Sequence, residues 1–243
     1  MTNQDSITNI LWTGGWDSTF RVCQLTLIDG KRVQPHYIID DKRQSAPIEQ
    51  QLIMSFREQI HKRVKKELIL EPVKTHVKDV LPNKEVTQRI LHYKKLMGLG
   101  RQYDWLIRYA LMHNIKDLEL CVHRDDRAHP WTKKDEYFEK CFSYPLLEMT
   151  KLDMKKEAIK YKFLDIMQQT WFCFTPIKGQ PCGYCNSCRY TVKEGLGERI
   201  SWIRRNSYYI RKANMKTISG MRKVGRRLQK IGRLLKAYKG INI

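Results

Sequence analysis

The apolar positions of this chain form short runs that alternate with amphipathic stretches. Four strand-like runs lie in its first half, at Ile7–Trp12, Val33–Ile39, Leu68–Val73 and Leu118–Val122. Helical patterns lie between or after them, at Ser18–Leu27, Ile48–Arg63, Tyr103–His113 and Asp153–Gln168. Residues 74–100 predict an irregular or helical insertion rather than a strand. Because strands alternate with helices, we expect an α/β fold with a doubly wound, mainly parallel sheet.

A glycine-containing segment joins the first predicted strand to the first predicted helix. It reads Trp12-Thr13-Gly14-Gly15-Trp16-Asp17-Ser18-Thr19. Glycines allow the backbone to approach a phosphate, and the amides and dipole of a helix N-terminus favour its negative charge. Ser18 and Thr19 can add hydroxyl donors, whereas Asp17 is better suited to a magnesium ion or to structural hydrogen bonds. An ordinary glycine turn is the alternative interpretation.

The segment lacks the Gly-Lys-Ser/Thr ending of a Walker A loop. It resembles instead the Ser-Gly-Gly-x-Asp-Ser loop of the PP-loop ATP pyrophosphatases, with Thr13 in place of the usual serine. The resemblance implies that residues 12–19 bind ATP. It also implies that ATP is cleaved to AMP and pyrophosphate while a substrate is activated as its adenylate.

Four of the seven cysteines cluster near the C-terminal end, in the pattern Cys-x8-Cys-x2-Cys-x2-Cys. They are Cys173, Cys182, Cys185 and Cys188. Four thiolates can complete a closed tetrahedral shell around Zn²⁺, which indicates a structural zinc knuckle over residues 171–190. An iron–sulfur cluster or redox-active thiols are alternatives that spacing alone does not exclude.

The loop and the cysteine pattern together resemble 7-cyano-7-deazaguanine synthase, the nitrile-forming enzyme of queuosine biosynthesis. Gly100-Arg101-Gln102, Pro145-Leu146-Leu147 with Thr150-Lys151, and Thr170-Trp171-Phe172-Cys173 resemble further segments of that family. The resemblance covers residues 6–195. It implies ATP, Mg²⁺ and structural Zn²⁺ as cofactors, and a carboxylate such as 7-carboxy-7-deazaguanine as the substrate that ammonia converts to an amide and then a nitrile.

The resemblance also assigns roles to individual residues. Asp17, Ser18 and Arg101 are the expected catalytic residues, and Lys151 joins residues 12–19 in binding the nucleotide. Arg is suited to planar phosphate recognition, but Arg101 could equally cap or salt-bridge a helix. Lys151 could equally be a surface lysine.

Two segments depart from the family pattern on the substrate side. Asp40-Asp41-Lys42-Arg43-Gln44 stands where the family has Tyr-Gly-Gln-Arg-His. His129-Pro130-Trp131-Thr132-Lys133 stands where the family has Tyr-Pro-Asp-Cys-Arg. These differences indicate a divergent relative with the same activation chemistry and an unassigned acid and nucleophile.

A polar group follows the fourth predicted strand, where an active-site loop would lie. It comprises His123, Asp125, Asp126 and His129. These residues could bind magnesium or substrate, or could form a solvated polar loop.

The charge of the chain is concentrated in its last segment. The net charge is +21, and residues 201–243 contribute 13 Lys and Arg with no acidic residue. Apolar residues at helical spacing from Met221 to Tyr238 predict an amphipathic basic helix. We therefore divide the chain into a PP-loop domain at 1–200 and a basic helical extension at 201–243. The extension could bind RNA, an anionic membrane surface or an acidic protein partner.

Three functions remain open at this point. An adenylate-forming carbon–nitrogen ligase comes first, a tRNA-modifying PP-loop enzyme second, and a non-catalytic PP-loop binding protein third. No apolar run approaches the roughly 18 residues of a spanning helix, and Met1–Asp5 lacks the features of a signal peptide. We expect a cytoplasmic protein, with a homodimer as one alternative for its oligomeric state.

Overall fold

A computed structural model describes residues 7–97, 99–126, 128–129 and 136–206. In this part of the chain, parallel strands form one sheet in the order β3-β2-β1-β4-β5. The strands are β1 (Thr8–Leu11), β2 (Val33–Ile39), β3 (Val73–His76), β4 (Leu118–Glu119) and β5 (Phe142–Ser143). The α/β class and the doubly wound, parallel sheet are thus confirmed.

Helices cover both faces of the sheet. They are α1 (Trp16–Cys23), α2 (Ala46–His61), α3 (Lys84–Met97), α4 (Gln102–Met112), α5 (Glu136–Cys141), α6 (Lys151–Lys160), α7 (Leu164–Gln168) and α8 (Asn186–Lys193). Side chains of β2 alternate between the two faces. Tyr37 and Ile39 enter the core beside α1, α2, α6 and α7, whereas Ile38 enters the core beside α3, α4 and α5.

The third strand differs from its predicted position. We expected Leu68–Val73, but Lys66–Leu68 forms a 3-10 turn and the strand runs from Val73 to His76. Val73 and Lys74 are exposed, because β3 is an edge strand that pairs with β2 through its backbone. The prediction that residues 74–100 contain no strand is therefore wrong at 74–76, and α3 fills most of the remainder.

The single helix predicted at Asp153–Gln168 is two helices. Helix α6 ends at Lys160 and α7 begins at Leu164, with Lys162 between them at φ 60°. A left-handed residue interrupts helical hydrogen bonding, and the buried Phe163 turns the chain back onto the core. The first helix also changes form, since Gln24–Ile28 continues α1 as a π-helical turn.

The sheet order places a topological switch point between β1 and β4, since the chain runs outward from these strands in opposite directions. Ligands of open α/β sheets bind at the carboxyl ends of the strands at such a point. The glycine loop follows β1, and the polar loop of residues 123–129 follows β4. Both candidate segments therefore lie at the same crevice.

The basic extension is described only at its start, where residues 202–206 are helical. The helix predicted from Met221 to Tyr238 lies outside the described residues, and the division at residue 200 stays a prediction. No helix in the described part of the chain has the length and apolarity needed to cross a bilayer.

Candidate active site

The glycine loop turns sharply between β1 and α1. Gly14 has φ +67°, and a Cβ there would lie 3.3 Å from the carbonyl oxygen of Glu49. Gly15 is the N-cap of α1. The backbone N–H of Thr13 donates to Ser18 Oγ at 3.3 Å. The loop therefore closes on the first turn of α1, which leaves the amides of a helix N-terminus facing the crevice.

Three residues expected at the nucleotide site direct their side chains into the core. Trp12 and Thr19 are fully buried, and Trp16 is almost so. Trp12 Nε1 donates to Thr19 Oγ1 at 3.0 Å. These side chains pack under the loop and support its conformation. The three residues can therefore contact a nucleotide only through their backbone atoms.

A pocket opens between the glycine loop, the start of α4 and the carboxyl end of β4. Its polar lining comes from Thr13, Asp17, Ser18, Gln102 and Asp126. Its apolar lining comes from Leu11, Tyr103, Leu106, Leu120 and Val122. An apolar cleft with a few convergent polar groups is the usual form of a small-molecule site.

The expected catalytic residues are only partly brought together. Asp17 and Ser18 line the pocket. Arg101 precedes two lining residues, Gln102 and Tyr103, but its own side chain is exposed at the N-cap of α4. Arg101 thus lies beside the pocket and not among its lining residues.

Lys151 reaches the loop from the far end of the chain. Thr150 and Asp153 form a capping box that begins α6, so Lys151 occupies the first position of that helix. Its Nζ lies 3.3 Å from Asp17 Oδ2 and 3.0 Å from Glu194 Oε2. The side chain of Lys151 is only 14% exposed, so the surface-lysine alternative is wrong.

The carboxylates around Lys151 hold it in its charged form. Burial by itself lowers the pKa of Lys151, but Asp17 and Glu194 more than offset this effect and the net pKa is raised. The ammonium therefore stays protonated at neutral pH and can attract a phosphate.

The loop after β4 splits into inner and outer residues. His123 is buried, and its Nδ1 accepts a hydrogen bond from the N–H of Asp125 at 3.2 Å. Asp126 lines the pocket, whereas the side chain of Asp125 is exposed. Within the described residues, the ligand atoms of His123, Asp125, Asp126 and His129 do not gather into one potential metal site.

Two segments differ from the family pattern, and the structure describes residues 40–44 but only His129 of residues 129–133. Asp41 accepts from His76 at 2.9 Å at the ends of β2 and β3. Arg43 pairs with the buried Glu49 at 3.0 Å and lies over the ring of Phe174. Residues 130–133 lie outside the described part of the chain, so their expected place at the substrate remains a prediction.

Arg199 is a functional candidate that the motifs did not reveal. Its guanidinium lies 5.0 Å from the Trp16 ring centroid and 4.8 Å from that of Phe172. Its Nη2 donates to Thr170 Oγ1 at 2.9 Å. Burial lowers the pKa of Arg199 to about 10. This arginine ties the helix that carries the loop to the segment that leads into the cysteine cluster.

The four clustered cysteines converge as their spacing predicts. All four sulfur atoms lie within 4.8 Å of one another. Cys182 Sγ is 3.8 Å from Cys188 Sγ, and Cys185 Sγ is 3.9 Å from Cys173 Sγ. A tetrahedral ion with metal–sulfur bonds of about 2.3 Å separates its sulfurs by about 3.8 Å.

Backbone amides further support the sulfur atoms. The N–H of Cys182 donates to Cys173 Sγ at 3.2 Å, and the N–H of Cys185 donates to Cys182 Sγ at 3.3 Å. Such bonds stabilise thiolates around a cation. The group fits one tetrahedral metal ion, and the measured sulfur separations exclude a disulfide between these pairs.

One protein family is similar to the part of the chain that contains the cysteine cluster. The profile of the family described as queuosine biosynthesis protein QueC matches residues 128–198. A search of curated proteins returned no match. The match takes in α6 and the cysteine cluster, and it supports the divergent, QueC-like resemblance drawn from the motifs.

One solved structure also resembles the chain. It is the NMN synthetase from Francisella tularensis, with 12% identity and a TM-score of 0.39. The match covers 68% of this chain and 65% of that one. At this level of similarity nothing about the site is transferred from it.

Sequence reasoning missed Glu194 and Arg199. Both follow the cysteine cluster and belong to none of the quoted motifs. Their importance comes from contacts with Lys151, Thr170 and Trp16, which are distant in sequence.

Proposed function

We propose that this QueC-like chain is an ATP-dependent ligase that forms an acyl adenylate and passes the acyl group to ammonia or an amine. The observation that carries the proposal is the joining of Asp17 at the glycine loop with Lys151 at the start of α6. In this contact, the Lys151 ammonium lies beside a loop of the kind that binds phosphate, at the switch point of the sheet.

The residues present fit a nucleotide with its magnesium ion. Among the described residues, Asp17 Oδ1 is buried without a hydrogen-bond partner. Asp126 places a second carboxylate in the same pocket. Carboxylate oxygens are the ligands that Mg²⁺ takes beside phosphates, so Asp17 and Asp126 would hold the ion and Mg²⁺ would neutralise phosphate charge.

These positions support the following reaction. A carboxylate oxygen of the substrate attacks the α-phosphorus of ATP, and pyrophosphate leaves. The loop amides, Ser18 and Lys151 stabilise the charge that develops on the phosphates. Ammonia then attacks the acyl carbon, AMP leaves with the bonding electrons, and the nitrogen loses a proton to give the amide. The family resemblance extends this to a second activation, in which the amide oxygen attacks the α-phosphorus of another ATP and pyrophosphate leaves. That oxygen then departs with AMP while the nitrogen loses its two protons, which gives the nitrile.

We further propose that Cys173, Cys182, Cys185 and Cys188 bind zinc. A closed shell of four thiolates leaves no coordination position for a substrate, so the zinc would support folding and not take part in the chemistry.

The test is product analysis. Purified protein with ATP, Mg²⁺, 7-carboxy-7-deazaguanine and ammonia should release AMP and pyrophosphate, and mass spectrometry should detect the amide or nitrile. Asp17→Asn and Ser18→Ala should each lower AMP release by about 100-fold or more, as removal of a charge-stabilising group does. Asp29→Asn, an exposed change beyond the end of α1, serves as the matched control.

Three results would count against the proposal. Unchanged AMP release in the Asp17 and Ser18 variants would remove the loop from the reaction. Nucleotide binding without turnover of any carboxylate would favour a non-catalytic binding protein. Turnover only in the presence of tRNA would favour the second candidate, a tRNA-modifying enzyme. The positive charge of residues 201–243 is the observation that favours this candidate.

A further inference from the structure

Helix α8 leads from the cysteine cluster to Glu194, which contacts Lys151 beside the glycine loop. Its first turn follows Cys185, whose Sγ accepts from the N–H of Cys188, and its C-cap is Glu194. Glu194 Oε2 lies 3.0 Å from Lys151 Nζ, and its other oxygen lies 3.6 Å from His123 Nε2. Eight helical residues span about 12 Å, so a short rigid element separates the two sites.

We propose that Glu194 is a positioning residue that holds Lys151 at the phosphate site and makes the arrangement of the glycine loop depend on the cysteine cluster. This inference rests on the proposed function, because it concerns how the same ATP site is assembled. Glu194 itself does not line the pocket and acts through Lys151.

The charges around Lys151 explain why a second carboxylate is needed. The ammonium has three N–H donors, and Asp17 and Glu194 contact it from two sides. If Asp17 were the sole carboxylate beside Lys151, the two side chains would form a closed ion pair. The ammonium of Lys151 would then be less available to a phosphate, and the carboxylate of Asp17 would be less available to Mg²⁺.

The surroundings of Glu194 fix its orientation. His123 Nδ1 accepts from the N–H of Asp125, so in the neutral ring the proton lies on Nε2, which faces Glu194. The side chains of Glu194 and His123 are only 10% and 3% exposed. The charged and titratable groups that face this network are Asp17 and Arg199 from neighbouring segments, together with His123.

A neighbouring ion pair provides a matched control. Lys155 Nζ contacts Glu198 Oε1 at 2.6 Å. This pair joins α6 to the segment after α8, as the Lys151–Glu194 pair does, but it lies nearer the surface and does not touch the loop. Glu198→Gln removes one ion pair between the same elements and should leave ATP use unchanged.

The experiment compares Glu194→Gln with Glu198→Gln in the full chain. Glu194→Gln keeps size and an acceptor oxygen and removes only the charge. We expect kcat/KM for ATP to fall about tenfold, equivalent to about 1.4 kcal/mol, and affinity for a non-hydrolysable ATP analogue to fall similarly by calorimetry. Glu194→Asp, which keeps the carboxylate, should recover part of the affinity that Glu194→Gln loses, because the contact with Lys151 depends on the charge.

The double variant Lys151→Gln/Glu194→Gln tests whether the effect passes through Lys151. Adding Glu194→Gln to Lys151→Gln should change analogue affinity less than twofold. It also removes both charges, so it guards against misfolding of the single variant. Wild-type affinity in Glu194→Gln, no recovery of affinity in Glu194→Asp, or a full additional loss in the double variant would overturn the inference. A wild-type protein that binds no ATP analogue would instead refute the proposed function itself.

Discussion

The backbone N–H of Trp171 donates a hydrogen bond to the carbonyl oxygen of Gly14 at 3.0 Å. A residue just before the first clustered cysteine thus fixes the central glycine of the loop. Arg199 reinforces this contact, since it lies over Trp16 and binds Thr170. The glycine loop and the cysteine cluster therefore form one continuous unit, although about 155 residues separate them in the sequence.

The geometry of Gly14 leads to the first prediction. Gly14→Ala should destabilise the protein by about 1–2 kcal/mol, because an L-residue is strained at positive φ, and should abolish nucleotide binding. Its new Cβ would also press on the carbonyl of Glu49. Gly30→Ala is the control, since Gly30 has φ +61° but nothing within 4 Å of an added Cβ. Urea unfolding and calorimetry with an ATP analogue measure the two effects. Equal analogue binding in both variants would contradict a role for Gly14 in the loop.

Metal binding provides the second prediction. We expect about one zinc per chain, and Cys185→Ser should lower this content and the midpoint of thermal unfolding. Affinity should fall as the pH is lowered, because protons compete with the metal for the thiolates. Cys23→Ser changes a buried cysteine outside the cluster and should leave metal content unchanged. Elemental analysis provides the measurement, and iron with a visible charge-transfer band would show the assignment to be wrong.

A buried histidine in β2 sets the third prediction. His36 Nδ1 lies 2.8 Å from the Tyr109 hydroxyl and Nε2 lies 2.9 Å from Asn9 Oδ1. Burial lowers the pKa of His36 from 6.5 to about 4, with a smaller effect from His113. Between these values the unfolded chain binds more protons, so this contribution to stability is complete above pH 6.5 and is lost as the pH falls toward 4.

This loss amounts to about 3 kcal/mol at most. Urea unfolding of wild type and His36→Gln at pH 7.5 and 5 measures it. Wild type should lose more stability than the variant over this interval. The same loss in both proteins would show that His36 does not titrate as its burial requires.

The basic extension is the subject of the fourth prediction. Arg204 binds the carbonyl oxygen of Pro181 at 2.7 Å, so truncation should keep residues up to 206. Deleting 207–243 removes 11 Lys and Arg and no acid. Binding to RNA should then weaken, and binding by the full chain should fall steeply with salt because association releases counterions.

ATP turnover should survive this deletion, because the residues proposed for it all precede residue 200. Filter binding of RNA and flotation with anionic vesicles, each at two salt concentrations, compare the two proteins. If the full and truncated proteins bound RNA and vesicles equally, with no dependence on salt, the extension would have no role in binding an anionic partner. Loss of turnover would show instead that the extension completes the active site.

Features that depend on local chemistry could be predicted from the order of the residues alone. The strand–glycine–helix segment at residues 12–19 could be located because only certain residues allow such a turn. The cysteine cluster could be located because its ligands are close in sequence. The positions of α2 and α4 followed from apolar periodicity. The edge strand β3 was misplaced because Val73–His76 carries little buried apolar surface and is defined by backbone pairing with β2.

The pairing of charges that are distant in sequence could be seen only in the folded chain. The motif predicts that Lys151 binds the nucleotide, but nothing local shows that Asp17 and Glu194 surround it. Arg199 links the loop to the cysteine cluster because its guanidinium lies over the rings of Trp16 and Phe172. Burial turns such contacts into strong interactions, since the charges can no longer be solvated separately. Burial and pairing depend on how α1, α6 and α8 pack together, which no single segment of the sequence specifies.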